Sequence, residues 1–264
     1  TVLKYITKDE MAISKEGEIK VKSLQKALDI LNCFIRKSSW GVTELSEYLG
    51  LNKSNVHSIL STFTAMEYLR QDKETGKYKL GLAVYTLCHA LGDELIIGNI
   101  AQPYMQELSD WSGEQVYLGV PYGDEVIYVN SAYPMESINL MRTIMGERAR
   151  MYCTGLGKAM MAYLPNEDVN LYLQKELPAC TDYTITDPET LRAELKQISE
   201  RGYAIDNMEH EFGIKCVGMP ILNRQQKLEA AISISGPSLR FSPERIPVLV
   251  EKLRKTVTKI EKRL

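Results

Sequence analysis

The chain has few of the features that mark membrane, secreted or metal-binding proteins. No apolar run approaches the roughly 20 residues that span a bilayer, and we expect neither a membrane helix nor a signal peptide. The five cysteines are scattered without a Cys-x-x-Cys pair, and the three histidines do not accompany them at ligand spacing. We therefore expect reduced thiols in a cytoplasmic protein, with no metal ion, no cofactor and no catalytic residues.

Charge is nearly balanced over the whole chain but uneven along it. The 264 residues include 32 Lys or Arg and 34 Asp or Glu, a net charge of −2. Residues 20–82 contain ten Lys or Arg and six Asp or Glu, a net of +4, which leaves −6 for the rest. A small basic module on a slightly acidic chain is compatible with nucleic-acid binding.

The most informative local pattern lies in residues 43–82, which predict two short helices around a tight turn and then a charged hairpin. Thr43 is the expected N-cap of the first helix, and Gly50 ends it where the chain must reverse. Ser54 is the expected cap of the second helix, whose apolar stripe is Val56, Ile59, Leu60 and Phe63. This order is typical of a winged helix-turn-helix and predicts duplex DNA as a partner.

The predicted DNA contacts are polar residues on the other face of the second helix and basic residues of the hairpin. Small polar side chains reach base edges in the major groove, and lysines beside the groove contact phosphates. The set is Lys53, Ser54, Asn55, His57, Ser58, Thr62, Arg70, Lys77 and Lys79. The alternative is a winged-helix adaptor that binds another protein.

Four segments follow from the patterning. We expect a flexible arm at residues 1–19, the winged helix at 20–82, a linker helix at 83–98 and a second domain at 99–264. The inward residues of the first winged-helix helix are predicted from their spacing to be Leu24, Ala27, Leu28, Leu31 and Ile35. A helix is also predicted at Ile100–Trp111, with Pro103 in its first turn.

The second domain alternates strand-like and helical segments. Strands are predicted at 115–121, 125–132, 138–142, 202–206, 218–222 and 228–235, and helices at 154–164, 188–199 and 243–264. Hairpins with helices beside them favour an α+β fold built on an antiparallel sheet.

In their order, these motifs resemble the IclR family of bacterial transcription regulators. The resemblance spans about residues 20–262 and is carried by the blocks VKSLQKALDIL, TELSEYLGLNKSNVHSIL, YLRQDKETGKYKLG, CTGLGKAMMAYL, RGYAIDNMEHEFGIKCVGMPI and AAISISGP. It implies an N-terminal winged helix, a linker helix and a C-terminal effector-binding domain with a GAF- or profilin-like antiparallel sheet. It also implies homodimers, often paired into tetramers, that respond to small molecules, commonly organic acids. We expect a repressor, although family precedent allows activation.

Matching the family's pocket to this chain by motif implies a set of effector-binding residues. They are Gly155, Leu156, Asp206, Ile214, Cys216, Ser233 and Ser235, with Ile138 and Met141 as an apolar wall. A helix that opens with Gly-Leu-Gly offers backbone N–H groups to a carboxylate, and serines two apart on a strand share one face. Each position also has a structural interpretation, because glycines end helices and a lone cysteine packs in cores.

Two departures from the family and one further alternative bear on function. The family often has a His where this chain reads Met151-Tyr152-Cys153, and often an Arg where it has Ser58. The first leaves the chemistry of the effector open, and the second leaves the operator sequence open. A Cys-dependent enzyme built on Cys153, His210 and Asp206 is the remaining alternative, although no nucleophile motif surrounds these residues.

Overall fold

The computed structural model describes residues 19–94, 96–135 and 144–264, with side chains omitted at 92–96. The chain divides into two compact units after Glu94. Within these described ranges, no helix is both long and apolar enough to cross a membrane. Ile138, Met141 and the strand predicted around them lie outside the described residues, as do residues 1–18 of the predicted arm.

The first unit is a three-helix core followed by a short hairpin and a further helix. Its elements are α1 Lys22–Arg36, α2 Val42–Leu49, α3 Lys53–Ala65, β1 Leu69–Gln71, β2 Tyr78–Leu80 and α4 Leu82–Glu94. Leu45 of α2 and Leu60 of α3 are fully buried in its core. Trp40 joins the hairpin to the helices, since its backbone pairs with Tyr78 and its indole Nε1–H donates to Cys33 O at 2.9 Å.

Both predicted helix caps in this unit are wrong by two residues. Helix α2 begins at Val42 because Glu44 reaches back and accepts a hydrogen bond from Gly41 N at 2.8 Å, which places Thr43 inside the helix. Helix α3 begins at Lys53 after Asn52, so Ser54 lies in its first turn. Gly50 has a φ of 67° and ends α2 in the left-handed conformation, as predicted.

The predicted inward face of α1 is wrong at three positions, although Leu31 does pack against the core. Leu24, Leu28 and Ile35 are 56%, 47% and 64% exposed, whereas the buried residues of the helix are Ile30, Cys33 and Phe34. Two apolar stripes therefore run along α1, and only the one that meets α2 and α3 is covered. The other stripe, formed by Leu24, Leu28 and Ile35, is called the α1 outer stripe below.

The second unit is a six-stranded antiparallel sheet with helices on both faces. Its elements are α5 Ile96–Ser112, β3 Gln115–Tyr122, β4 Glu125–Ala132, β5 Arg148–Arg150, α6 Gly155–Met161, α7 Asn166–Leu173, α8 Pro188–Arg201, β6 Ala204–Asn207, β7 Ile214–Leu222, β8 Leu228–Pro237 and α9 Arg245–Glu261. The strand order among the described residues is β5-β4-β3-β8-β7-β6. This architecture confirms the predicted α+β class.

Alternation along the central strands separates two apolar layers. Val116 and Leu118 of β3 pack with α5 and α9, whereas Tyr117 between them packs with α6, α7 and α8. Strand β8 follows the same rule, with Ile232 and Ile234 facing α5 and α9. Ser233 and Ser235 therefore face the α6 side of the sheet.

Helix α5 differs from the prediction at its start. It begins at Ile96, and Pro103 lies in its interior rather than its first turn. Ala101, Met105 and Leu108 are fully buried against the sheet. Their burial on both sides of the proline stabilises a helix that proline alone disfavours.

Candidate nucleic-acid interface and effector pocket

The polar face of α3 is exposed along its whole length. Val56 and Leu60 are fully buried behind it, while Lys53, Ser54, Asn55, His57, Ser58 and Thr62 are exposed. The hydroxyl of Ser58 donates to Ser54 O at 3.0 Å, and that of Thr62 donates to Ser58 O at 2.9 Å. These hydroxyls therefore present acceptor lone pairs outward, whereas Asn55 presents both a donor and an acceptor.

The hairpin lysines are held by acidic neighbours. Lys77 Nζ lies 3.1 Å from Glu44, which Lys37 also contacts at 3.0 Å, and Lys79 Nζ lies 2.9 Å from Asp72. The backbone N–H of Gly41 and then the two lysines lower the pKa of Glu44 to about 2. All these groups are partly exposed, so the pairs orient the lysines and contribute little stability. Arg70 is exposed on the neighbouring strand.

The predicted effector residues of the second unit come together under α6. Cys216 of β7 is the cross-strand partner of Asp206 on one side and of Ser235 on the other. A Cβ at Gly155 would lie 3.1 Å from Cys216 Cβ and 3.7 Å from Asp206 Cβ. The hydroxyls of Ser233 and Ser235 are 3.3 Å apart. Ile214 lies at the start of β7 and is partly exposed.

The glycines of this helix also have a packing role, which no pattern in the sequence indicates. A Cβ at Gly218 would lie 2.3 Å from Gly155 O, and one at Gly157 would lie 2.3 Å from the backbone of Met151. Thr154 caps α6 by accepting from Gly157 N at 3.0 Å, so that donor is already used. The glycines therefore let α6 lie directly on β7. The prediction that the first backbone N–H groups of α6 are free to bind a carboxylate is wrong for Gly157.

Burial controls the electrostatics of this cluster. Asp206 is 3% exposed, and burial raises its pKa to about 6, although Glu209 N donates to Asp206 Oδ1 at 2.7 Å. Burial also raises the pKa of the Cys216 thiol. Asp206 is therefore partly protonated near neutral pH and can act as a hydrogen-bond donor.

Sequence reasoning missed four residues beside this cluster. Tyr117 is the cross-strand partner of Ser233 and packs edge-on against Tyr128, with ring centroids 5.6 Å apart. Lys158 and Glu209 form a buried ion pair, each less than 5% exposed. Period-two alternation along β3 is a signal that places Tyr117 on the serine face, but no sequence signal pairs residues 158 and 209.

The predicted effector residues are mostly covered. Leu156, Asp206, Ser233 and Ser235 are each less than 5% exposed. Two open surface depressions of about 430 and 420 Å³ lie elsewhere. Leu222 and Lys262 are among the residues that line the first, Trp111 and Lys255 among those that line the second, and none of the predicted residues lines either. A ligand that contacts the α6 cluster must therefore enter below the surface.

The arrangement of Cys153 and His210 does not favour catalysis. Their Sγ and Nδ1 atoms are 3.8 Å apart, near the long end of hydrogen bonds that involve sulfur. Interaction with Cys180 and then burial raise the pKa of the Cys153 thiol, which keeps it protonated.

Comparison with known families decides the identity of the chain. A family model for the C-terminal domain of the bacterial transcriptional regulator IclR matches residues 89–262. The chain belongs to the IclR family. The IclR helix-turn-helix domain matches residues 23–73. The protein is thus a DNA-binding transcription regulator and not an enzyme, and the Cys-dependent alternative is wrong.

Curated relatives and solved structures agree with this family. KipR of Bacillus subtilis is 33% identical over 93% of this chain and 98% of its own, and the repressor AllR of Escherichia coli is 31% identical over 90% and 89%. The IclR structure from Thermotoga maritima has a TM-score of 0.76 and 30% identity, with 92% of this chain and 98% of that chain covered. An IclR homolog from Microbacterium hydrocarbonoxydans complexed with 4-hydroxybenzoate shares the fold, with a TM-score of 0.80, 24% identity and coverage of 91% and 98%.

Proposed function

We propose that the protein is a sequence-specific repressor that places α3 in the major groove and releases DNA in response to a small organic acid. The observation that carries the proposal is the exposed polar face of α3 over a buried apolar rear. Asn55 and His57 offer hydrogen bonds to base edges, and asparagine pairs bidentately with adenine. Lys53 begins the helix, where it reaches a phosphate rather than a base.

The hairpin completes the contact with DNA. Lys77 and Lys79 are already oriented by Glu44 and Asp72, and either ammonium can exchange its carboxylate for a phosphate. Such contacts release counterions and carry no base information. We also infer that the protein is cytoplasmic, because bacterial chromosomal DNA lies in the cytoplasm.

We infer that the protein works as a homodimer. One winged helix makes few phosphate contacts, so useful affinity requires two on one duplex. The α1 outer stripe supports this inference because Leu28 and Ile35 are large apolar residues that the described part of a single copy leaves 47% and 64% exposed. Helix α4 adds Leu82, Tyr85 and Leu91, each more than half exposed. A second copy that covers these residues would set the spacing of two α3 helices against half-sites about 34 Å apart.

The effector site is proposed at the cluster of Asp206, Cys216, Ser233 and Ser235 under α6. Two hydroxyls and a carboxyl among apolar side chains are the composition of a small-molecule pocket. An organic acid would bind with Asp206 protonated, so that its carboxyl donates to the ligand carboxylate. The ligand then shifts DNA affinity only by its differential affinity for two arrangements of the dimer, typically about 1–3 kcal/mol.

A gel-shift titration on the promoter beside the protein's own gene tests DNA binding. The double variant Lys53→Ala, Lys79→Ala should bind more weakly and lower the slope of log affinity against log salt by about 3.6, which is about 0.9 for each of the four phosphate contacts that a dimer loses. Lys255→Ala, an exposed lysine of α9, is the matched control. An unchanged slope in the double variant contradicts the proposed interface.

A thermal-shift panel of small acids, with 4-hydroxybenzoate among them, tests the pocket. For any acid that raises the Tm, Ser235→Ala should blunt both the shift and the release of DNA, while ligand-free DNA binding stays intact. Ser199→Ala, on the exposed side of α8, should behave as the wild type. A normal response in the Ser235→Ala variant means that the ligand binds elsewhere.

A further inference from the structure

Three potential metal ligands that are distant in sequence meet beside the α6 cluster. Cys153 lies in the short turn before α6, Cys180 in the loop between α7 and α8, and His210 in the loop between β6 and β7. Cys153 Sγ is 3.7 Å from Cys180 Sγ and 3.8 Å from His210 Nδ1. All three atoms lie within 4.8 Å of one another.

The two separations from Cys153 Sγ are close to those of a tetrahedral thiolate–imidazole site. With Zn–S bonds of about 2.3 Å and a Zn–N bond of about 2.1 Å, tetrahedral angles place two sulfurs about 3.8 Å apart and a sulfur and a nitrogen about 3.6 Å apart. A disulfide instead needs the sulfurs within about 2.05 Å, far shorter than the observed separation. The spacing therefore fits one shared cation without movement of either cysteine backbone.

The loops that carry Cys180 and His210 are fastened to each other independently of any ion. Thr181 Oγ1 donates to Met208 O at 2.7 Å, and Thr184 Oγ1 donates to Glu209 O at 2.6 Å. Cys180 N in turn donates to Thr184 Oγ1 at 3.0 Å. Because these bonds already fix the two loops, binding a metal ion costs little additional conformational entropy.

The surroundings also favour a thiolate at Cys180. Arg150 Nη1 lies 4.0 Å from the Cys180 sulfur, so a positive charge faces this thiol. Thiolates are the form that binds zinc. Cys180 and His210 are exposed, so an ion can reach them from solvent, whereas Cys153 is buried and would bind the ion from the protein interior.

We propose that Cys153, Cys180 and His210 bind a divalent cation of the zinc class, with the fourth coordination position open to water or to an oxygen of a small molecule. Bound there, the ion would link the α6 turn to the loops at Cys180 and His210 and release thiol protons. The proposal concerns metal binding alone, so its test does not depend on DNA or effector binding.

Metal content and affinity of the full chain, purified under reducing conditions, test the site. We expect one zinc per chain, removal by a chelator with a fall in Tm, and thiolate-to-metal charge-transfer absorption when Co²⁺ replaces zinc. Cys180→Ser and His210→Ala should each weaken zinc binding by about 100-fold or more, because losing a ligand exceeds the 10–100-fold effect of outer partners. Cys88→Ser, at an exposed cysteine of α4, should bind zinc as the wild type does.

Two results would overturn the proposal. The first is no zinc uptake by reduced wild-type protein, and the second is wild-type zinc affinity in both ligand variants. Cys180→Ser replaces an exposed side chain, so its circular dichroism should match the wild type and separate lost binding from lost folding.

Discussion

Replacing Asp206 by asparagine should stabilise the protein at neutral pH, and the gain should depend on pH. Burial raises the pKa of Asp206 to about 6 from its usual 3.8. The folded state therefore holds this proton more tightly than the unfolded chain does. Stability from the protonated carboxyl is fully present below about pH 4 and is lost as pH rises to about 6.

The magnitude follows from that pKa difference. One pKa unit corresponds to about 1.4 kcal/mol, so ionised Asp206 destabilises the fold by up to about 3 kcal/mol at pH 7.5. Asparagine keeps an Oδ1 that accepts from Glu209 N, so the loop that this bond holds should survive. The variant's advantage in free energy of unfolding should grow by roughly 1.4 kcal/mol between pH 5 and pH 7.5.

Urea unfolding of wild type and variant at pH 5, 6 and 7.5, followed by circular dichroism, measures this difference. Other titrating groups are common to both proteins and cancel. A difference that stays constant over this range would refute the reasoning, since Asp206 would then titrate normally. A variant less stable than wild type at pH 7.5 would show that the carboxylate has a partner that compensates its burial.

The remaining predictions concern packing, the dimer and the hairpin. Gly218→Ala should lower the free energy of unfolding by about 3 kcal/mol or more in urea titration, because its Cβ would lie 2.3 Å from Gly155 O. Its control is Gly98→Ala in α5, which should be neutral or stabilising because its Cβ would lie 3.7 Å from Asn130 Nδ2. Leu28→Glu should shift the protein to monomer in sedimentation and weaken DNA binding, whereas Leu239→Glu should do neither if the α1 outer stripe is the interface. Glu44→Gln should raise DNA affinity at low salt in gel shifts, since its lysine partners would no longer face a carboxylate.

Sequence patterning predicted the elements whose signals are local. Val56, Leu60 and Gly50 mark the helix-turn-helix through a 3.6-residue stripe and a reversal, and the structure has both at those positions. Runs rich in Val, Ile and Tyr on either side of a Gly-Asp turn predicted β3 and β4 almost to the residue. Helix caps were less predictable because Thr43 and Glu44 are both good capping types, and only the conformation of Gly41 decides between them.

The inward face of α1 shows a second limit of prediction from sequence patterns. Its sequence contains two apolar stripes, and spacing cannot tell which one enters the core of the chain and which stays outside. The choice depends on where α2 and α3 lie, and that is set by long-range packing. The exposed stripe is now the main support for the proposed dimer.

The sequence by itself determined the family, the α+β class and the polar face of α3, because each depends on residues close together along the chain. The tertiary structure alone decided that Cys153, Cys180 and His210 converge, that Lys158 meets Glu209, and that the glycines of α6 serve close packing on β7. These contacts join segments that are many residues apart in the chain, and neither helical nor strand periodicity predicts contacts at that separation.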